Sequence, residues 1–461
     1  MRFPLYASFA ALVSLAGSQG PQPVDLIVYN AIVVTMDPAG RVLPRGAVAI
    51  TGREITAVEP AEAIASRYTA KETLDAGGQI ILPGLVNTHT HAPMVLYRGL
   101  ADDLALMEWL EKYIFPAEAK TVSPEFVRAG TRLAALEMIQ SGTTTYTDMY
   151  YFEEEVARVT KAAGLRGVLG QTVIQFPVAD AKTPADALTR SEAFLKEFAN
   201  DELIVPALAP HSMYTLDRAT LKAVRAMGDK YSAPVLIHLS ETAAESKTAM
   251  TRHKMSPTRY LESIGFWGPR SLAAHGVWLS APDIQILARR KVGVSHNPES
   301  NMKLASGVAK VPALQRAGVT VGLGTDGAAS NNDLDMFEAM RQAAFLHKLT
   351  TNDPRTLPAK TALAMATIDG ARALGMDRQI GSLEAGKRAD LILVSVAGAR
   401  QTPMYDPLSH LVYVTRGDDV STTIVNGKIL MRDRQMLTLN EPDVIKEANA
   451  FAAKVREAVG K

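Results

Sequence analysis

Residues 79–91 read QIILPGLVNTHTH, an apolar, β-branched run that ends in two histidines, His89 and His91. Such a run is typical of a buried strand, and residues two apart in a strand point to the same face. Both imidazoles can therefore bind one metal ion at the carboxyl end of this strand. A His-x-His pair alone is weak evidence, because short histidine pairs also occur by chance.

Four more residues repeat this placement at the end of an apolar run: His211, His238, His275 and Asp326. A (β/α)8 barrel holds its active site at the carboxyl ends of its strands. Imidazoles with one carboxylate suit Zn²⁺ or Fe²⁺ rather than Mg²⁺ or Ca²⁺. A single such histidine is more often an ordinary core or surface residue, but that interpretation does not explain the whole set. The sequence therefore predicts a metal-dependent hydrolase.

The middle of the chain alternates strand-like and helix-like segments eight times, which predicts a parallel sheet closed into a TIM-like (β/α)8 barrel. One helix is predicted over 124–140, with Ser123 as its N-cap and Pro124 at its first position. The predicted strands are 85–89, 143–148, 166–174, 203–209, 234–239, 271–275, 292–296 and 319–325.

Hairpin patterns occur near both ends of the chain, with turns at Gly52 and at Asn426-Gly427. Two distant β segments around a barrel predict one small composite β-sandwich domain built from both termini. The predicted divisions are 1–20 (signal peptide), 21–83 (first part of the sandwich), 84–384 (barrel), 385–440 (second part of the sandwich) and 441–461 (C-terminal helix).

The first twenty residues have the pattern of a secretory signal. Arg2 precedes an apolar run over 3–15, and the small residues Ala16, Gly17 and Ser18 follow. This pattern predicts an exported or periplasmic protein. The run is too short to span a bilayer, which takes about 20 apolar residues. The alternative is an N-terminal extension of a cytoplasmic protein.

The composition of the chain limits the binding partners and the reactions that can be expected. The 461 residues carry 49 basic and 48 acidic side chains, a net charge of +1, which gives no electrostatic reason to expect nucleic acid or an acidic membrane surface. A small-molecule substrate is the expected partner. The chain has no cysteine, so disulfides, thiolate ligands and a cysteine nucleophile are excluded, and His, Asp and Glu must carry the reaction.

A metal held by His89, His91, His238 and Asp326 would lower the pKa of a water molecule and supply hydroxide. Asp326 and His275 are placed to take the water's proton. Glu241, three residues after His238, would carry a proton to the leaving side of the substrate. One metal per chain is predicted, because the fourth strand offers His211 and no lysine that could bridge a second ion.

Seven segments together resemble the amidohydrolase superfamily, and within it the branch of 5-methylthioadenosine/S-adenosylhomocysteine deaminases and chlorohydrolases. The resemblance extends from about residue 24 to about residue 435. The segments are PGLVNTHTH (83–91), RGLADD and WL within 98–110, APHSMYT (209–215), HLSET (238–242), AAHGVWL (273–279), VSHNPESNMKLASG (294–307) and GTDGAASNNDLDM (324–336).

The resemblance implies that a metal-dependent enzyme deaminates an adenosine-like compound or another amino-substituted N-heterocycle, with Zn²⁺ favoured over Fe²⁺. It also implies that Glu241 and His275 handle protons and that Glu118 and His211 contact the substrate. The implied metal ligands are His89, His91, His238 and Asp326. By analogy with the family, the chain is also expected to form a homo-oligomer.

One departure concerns S-adenosylhomocysteine deaminases, which carry an arginine in the third strand where this chain has Gln171. Gln171 would offer no charge-assisted grip on a carboxylate, although Arg166 lies close by in sequence. The alternative reaction is hydrolysis of another ring substituent or of a cyclic amide, as in triazine chlorohydrolases. A barrel that has lost catalysis and serves binding or assembly is a further alternative, which the intact ligand set disfavours.

Overall fold

The computed structural model describes residues 20–268 and 270–460 of the chain. The predicted signal peptide lies outside the described residues except for Gly20, so export stays a prediction, as does the cytoplasmic alternative. Within the described ranges, no helix has both the length and the apolar character that a bilayer crossing demands.

Five strands precede the barrel. β1 pairs in parallel with β4 and β5 and antiparallel with β2, and Gly52 forms the predicted turn between β2 and β3 with a φ of +57°. The strands are β1 (Gln22–Val34), β2 (Val42–Thr51), β3 (Glu54–Pro60), β4 (Tyr68–Asp75) and β5 (Ile80–Pro83).

Eight strands follow, and each pairs in parallel with the next. The predicted count and order are confirmed. The last strand is shorter than the predicted 319–325, because the backbone turns away at Asp326, whose φ is +63°. The strands are β6 (Leu85–Thr90), β7 (Thr143–Tyr150), β8 (Arg166–Val173), β9 (Ile204–Pro210), β10 (Val235–Leu239), β11 (Ser271–His275), β12 (Gly293–His296) and β13 (Val321–Leu323).

The first and last strands of the barrel meet along a seam. The Thr88 hydroxyl donates to the Leu323 carbonyl at 2.8 Å, and the Asp326 amide donates to the His89 carbonyl at 2.9 Å. These bonds bring β6 and β13 together although they are far apart in sequence, so the barrel is nearly closed.

Four short strands near the C-terminus complete the other sheet. β14 pairs antiparallel with β5, which joins both ends of the chain in one nine-stranded mixed sheet of order β17-β16-β15-β14-β5-β1-β2-β3, with β4 on β1. Strands from both termini enclose a common apolar core, so the expected union of both ends of the chain is confirmed, while the division of the chain into domains stays a prediction. The strands are β14 (Leu391–Val394), β15 (Val420–Val425), β16 (Lys428–Arg432) and β17 (Gln435–Met436).

The predicted hairpin at Asn426-Gly427 joins β15 to β16. Both residues have positive φ, 52° and 75°, as a type I′ turn requires. A Cβ on Gly427 would lie 2.0 Å from the carbonyl oxygen of Gly52. Only glycine therefore fits where the turn from the C-terminal part of the sheet meets the turn from the N-terminal part.

Helices pack around the barrel, except the first, which packs on the composite sheet. The predicted helix begins at Pro124, and the Ser123 hydroxyl accepts the backbone N–H of Phe126. The α-helices are α1 (Ala61–Arg67), α2 (Leu106–Trp109), α3 (Phe115–Thr121), α4 (Pro124–Gln140), α5 (Glu153–Ala163), α6 (Pro184–Glu197), α7 (Arg218–Tyr231), α8 (Ala243–His253), α9 (Pro257–Ser263), α10 (Ala281–Arg290), α11 (Pro298–Lys303), α12 (Val311–Arg316), α13 (Met336–Thr351), α14 (Ala359–Met365), α15 (Ile368–Ala373), α16 (Pro407–Tyr413) and α17 (Glu441–Val459), with a π-helical turn (Leu110–Ile114) between α2 and α3.

A buried ion pair joins the barrel to the composite sheet. Arg166 begins β8, and its guanidinium contacts the Asp390 carboxylate at 2.9 and 3.2 Å. Arg166 also donates to the Glu202 carbonyl at 2.8 Å, and Asp390 accepts the Asn426 amide at 2.7 Å. Both charged side chains are almost fully buried, so each depends on the other for its compensating charge.

We expect Asp390→Asn to lower the free energy of unfolding by about 3–5 kcal/mol, because it leaves the Arg166 charge buried without a counter-ion. Chemical denaturation of the variant and the parent measures this difference. The control is Glu108→Gln, which breaks an exposed ion pair with Lys112 and should cost at most about 1 kcal/mol. Equal losses in the two variants would contradict the role assigned to the buried pair.

Candidate active site

The structure brings together the six residues that the sequence placed at strand ends. His89 and His238 lie in β6 and β10, His275 ends β11, and His91, His211 and Asp326 follow β6, β9 and β13. His275 and Asp326 have φ values of 72° and 63°. Such values are uncommon outside glycine and concentrate where structure serves function.

Four donor groups converge at the floor of the resulting pocket. The Asp326 Oδ1 atom lies 3.3 Å from the Nε2 atoms of both His89 and His91, and the Nε2 atoms of His91 and His238 are 3.3 Å apart. Ligands held about 2.0–2.1 Å from a zinc ion in tetrahedral geometry are separated by about 3.3–3.4 Å. The spacing of these atoms therefore fits one metal ion.

The second ring nitrogen of two histidines fixes which nitrogen faces this centre. His91 Nδ1 lies 2.7 Å from the Met149 carbonyl, and His238 Nδ1 lies 2.8 Å from the His211 carbonyl. A carbonyl only accepts, so both Nδ1 atoms carry hydrogen, and in the neutral form of each ring the Nε2 atom presents a lone pair. Metal-binding histidines are commonly oriented in this way.

His89 also fits a metal centre. It is buried, and its Nε2 atom, 3.3 Å from Asp326 Oδ1, makes no well-aligned hydrogen bond to any of the described residues. Burial lowers the pKa of His89 to about 4, so its ring is neutral at neutral pH, as a metal ligand must be. A buried imidazole nitrogen without a hydrogen bond is costly in a protein interior, and a metal ion would compensate for it.

Asp326 is held in its charged form. Burial raises its pKa, but the hydrogen bonds and charges of the neighbouring histidines outweigh burial and hold the pKa well below its usual range. Burial lowers the pKa of His91, but the hydrogen bond and charge of Asp326 outweigh burial and raise this pKa to about 9. An arrangement that stabilises a proton here would also stabilise a metal cation, since both place positive charge beside Asp326.

Two proton-handling candidates face each other beside this centre. The His275 Nε2 atom lies 3.8 Å from Glu241 and 4.0 Å from Asp326. Burial raises the pKa of Glu241, which favours a carboxyl group able to donate a proton. Glu245 accepts the backbone N–H groups of Ser240 and Glu241 at 3.0 and 2.9 Å, and so fixes the turn that carries Glu241.

Glu118 and His211 line the same pocket. Glu118 lies on α3 and accepts the Tyr150 hydroxyl at 2.7 Å. Burial raises the pKa of Glu118 to about 7, although the Tyr150 hydrogen bond lowers it. Burial and the neighbouring histidines lower the pKa of His211 to about 3, so its ring is neutral and able to donate or accept a hydrogen bond.

The position assigned to Gln171 needs correction. Its side chain leaves the pocket and donates to Asp180 at 2.7 Å, while its neighbour Thr172 lines the pocket. Adjacent strand residues point to opposite faces, so an alignment wrong by one residue names the wrong side chain. Arg166 does not replace the missing arginine either, because it is bound to Asp390 at the opposite end of β8.

Several contributors to the site were not identified from the sequence. Ser300 and Ser330 donate to Asp326 at 2.7 and 3.1 Å, and Asn301 contacts His275 at 2.9 Å. Ser300 and Asn301 fall in VSHNPESNMKLASG, a segment that carried the resemblance. Their place in that segment was the signal available for Ser300 and Asn301, but no local periodicity distinguishes these two residues from helix-capping or surface residues.

The pocket wall is largely apolar. It includes aromatic and aliphatic side chains from the segment between residues 94 and 115, from β7, and from the segments that follow β7, β9 and β12. These are Met94, Leu106, Trp109, Leu110, Ile114, Phe115, Met149, Tyr150, Tyr151, Tyr214 and Leu304. An apolar cavity with a few convergent polar groups is the usual form of a small-molecule site.

The chain is similar to known proteins along nearly its whole length. A curated 5-methylthioadenosine/S-adenosylhomocysteine deaminase of Syntrophobacter fumaroxidans is 47% identical over 95% of this chain and 100% of the relative. A 5′-deoxyadenosine deaminase of Methanosarcina acetivorans is 46% identical over 94% of this chain and 98% of its own length. A crystal structure of an adenosine deaminase from Xanthomonas campestris with bound zinc has a TM-score of 0.93 and 39% identity, and covers 95% of this chain and 100% of that chain.

The recognition made from the sequence motifs is thus confirmed. The model of the amidohydrolase family matches residues 80–430, a range that holds the whole barrel and all the strand-end residues. Fold, motif order and near full-length similarity lead to one conclusion: the chain belongs to the amidohydrolase family.

Proposed function

We propose that this chain is a metal-dependent aminohydrolase that releases ammonia from an adenosine-like nucleoside. The observation that carries the proposal is the convergence of Glu241 and His275 on the same pocket floor as the four donor groups. The names of the full-length relatives support the same reaction. Hydrolysis of another ring substituent, as by a triazine hydrolase, is the alternative.

The proposed ligands are His89, His91, His238 and Asp326, and the proposed ion is a single Zn²⁺. A bound ion of this kind lowers the pKa of a water molecule and stabilises negative charge near it. Histidine nitrogens with one carboxylate suit zinc, and Fe²⁺ is the second choice. The zinc in the related adenosine deaminase structure supports this choice.

The chain's own groups would move the protons. Water adds to the ring carbon that bears the amino group. The Nε2 atom of His275, which lies beside Asp326, takes a proton from the water. Glu241 donates a proton to the adjacent ring nitrogen, which its raised pKa favours. The proton taken by His275 then passes to the amino nitrogen, the carbon–nitrogen bond breaks as the carbon–oxygen double bond forms, and ammonia leaves. The proton released from the hydroxyl group returns Glu241 to its acid form.

Glu118 and His211 are proposed to hold the substrate. One Glu118 oxygen accepts the Tyr150 hydroxyl, and the other can accept from the ribose hydroxyls. The neutral His211 ring lies with its centroid 4.8 Å from that of His238, close enough to contact a substrate at the floor. The homo-oligomer expected from the family stays a prediction.

The charges of the pocket favour a nucleoside without an anionic tail. Among the described residues that line the pocket, three are acidic (Glu118, Glu241 and Asp326) and none is lysine or arginine. A substrate carboxylate would have no charged partner there. An adjoining cavity that shares Leu106 and Tyr214 includes Arg252, an exposed residue on α8.

We expect ammonia release from at least one member of a panel of adenosine, methylthioadenosine, S-adenosylhomocysteine, guanine, an aminopterin and an amino-triazine. Glu241→Gln should reduce that rate by about 10²–10⁴-fold, because glutamine cannot donate the proton. Glu111→Gln, the same change at an exposed position near the pocket, should leave the rate unchanged. A fully active Glu241→Gln variant would exclude the proposed role of Glu241.

The zinc content of purified variants tests the ligand set. Elemental analysis should find one zinc per chain in the parent and in His211→Gln, because His211 contributes no ligand. The content should fall well below one in His238→Ala, because a ligand is lost. Equal loss in both variants would mean that His211 also holds the metal.

The pocket charges predict a substrate order. We expect kcat/KM for S-adenosylhomocysteine to be about 10–100-fold below that for methylthioadenosine, the cost of about 1.5–3 kcal/mol for a missing charged hydrogen bond. Competition assays with both nucleosides measure the ratio. Equal values would contradict the argument, and Arg252→Gln would then show whether Arg252 binds the carboxylate.

A further inference from the structure

In the short helix α11, the consecutive residues Ser300 and Asn301 contact two different residues of the site. The Ser300 hydroxyl donates to Asp326 Oδ2 at 2.7 Å, and Asn301 Oδ1 lies 2.9 Å from His275 Nδ1. Ser300 and Asn301 are both almost fully buried. Two amide side chains contact the His275 ring, and that of Asn301 is the nearer. The ring nitrogen that carries hydrogen determines whether His275 can accept a proton from water.

The Asn301 contact constrains the His275 tautomer. An amide oxygen only accepts, so its hydrogen bond requires hydrogen on His275 Nδ1. A neutral ring then has its lone pair on Nε2, the atom that faces Glu241 and Asp326. Only in this tautomer can His275 accept a proton on the side of the ring that faces the substrate.

A second amide competes for the same nitrogen. Asn297 Nδ2 lies 3.3 Å from His275 Nδ1, while the Asn297 oxygen accepts the Ser295 hydroxyl at 3.0 Å. An N–H from Asn297 would favour the opposite tautomer, with hydrogen on Nε2. The shorter contact with Asn301 therefore has to outweigh the longer one with Asn297.

The Asn301 amide makes few other contacts. Its Nδ2 atom has no hydrogen-bond partner among the described residues, although it is buried. A buried N–H group without a partner costs stability. The side chain is therefore poorly explained by stability alone, and its one side-chain hydrogen bond in the described structure is with His275.

We propose that Asn301 is a positioning residue that holds His275 with hydrogen on Nδ1 and so leaves Nε2 open to accept a proton beside Glu241. When His275 Nε2 accepts the proton from the attacking water, the ring becomes an imidazolium and keeps its Nδ1–H bond to Asn301. This inference rests on the proposed proton-handling role of His275.

The tautomer can be read without any substrate. In the zinc-loaded full-length chain with isotope-labelled histidine, a long-range proton–nitrogen correlation spectrum shows which nitrogen of each ring carries hydrogen. The His275 signals are assigned by their loss in His275→Gln. We expect hydrogen on Nδ1 in the parent and a shift toward Nε2 in Asn301→Leu, where only the Asn297 contact remains.

Kinetics supply the second measurement, with methylthioadenosine as the substrate. Asn301→Leu should lower kcat by about 10–100-fold, the usual effect of removing an orienting partner, with KM unchanged. Asn301→Asp keeps an accepting oxygen at the same place and should recover most of the activity. A residue that only fills space would give equal losses in the leucine and aspartate variants.

The outcomes separate this inference from the proposed function. Hydrogen on Nε2 in the parent, or an unchanged spectrum in Asn301→Leu, would overturn the inference even if ammonia is released. Hydrogen on Nδ1 that moves in the variant would support it even if no panel member is a substrate. In that case the reaction assignment fails while the positioning of His275 stands.

Discussion

The hydrogen bond from the Asp326 amide to the His89 carbonyl is the contact on which the site depends. It lies at the seam where the last barrel strand meets the first, and it joins the two residues whose side chains meet at the floor of the pocket. Without this closure, Asp326 would be at one edge of an open sheet and His89 at the other. The fold therefore brings the proposed metal ligands together by the same step that completes the barrel.

The seam also explains the electrostatic character of the pocket. The Asp326 carboxylate is buried among three imidazoles, and its interactions with them, the contacts with His89 and His91 first, outweigh the cost of its burial. The hydroxyls of Ser300 and Ser330 occupy its second oxygen. The apolar side chains on the wall suit a neutral, flat ring.

Much of the fold and the floor of the site could be predicted from the sequence. Eight β-branched runs alternate with helical segments, and imidazoles at their ends identify the chemistry, because both signals are local. Gln171 and Thr172 show the limit of this prediction. Side chains alternate along a strand, so an alignment shifted by one residue names a side chain that points away from the pocket instead of one that lines it. Asn301 and the Arg166–Asp390 pair depend on contacts between distant segments, which leave no periodic signal.

The position of β5 between β1 and β14 has a consequence for biosynthesis. The ribosome synthesises the N-terminal strands first, but β14, the partner of one edge of β5, is synthesised only after the whole barrel. Until then the edge presents unpaired backbone groups to other chains, a known route to aggregation. The nascent chain therefore needs shielding of that edge, whether by its own folding barrel or by a chaperone, for most of its translation.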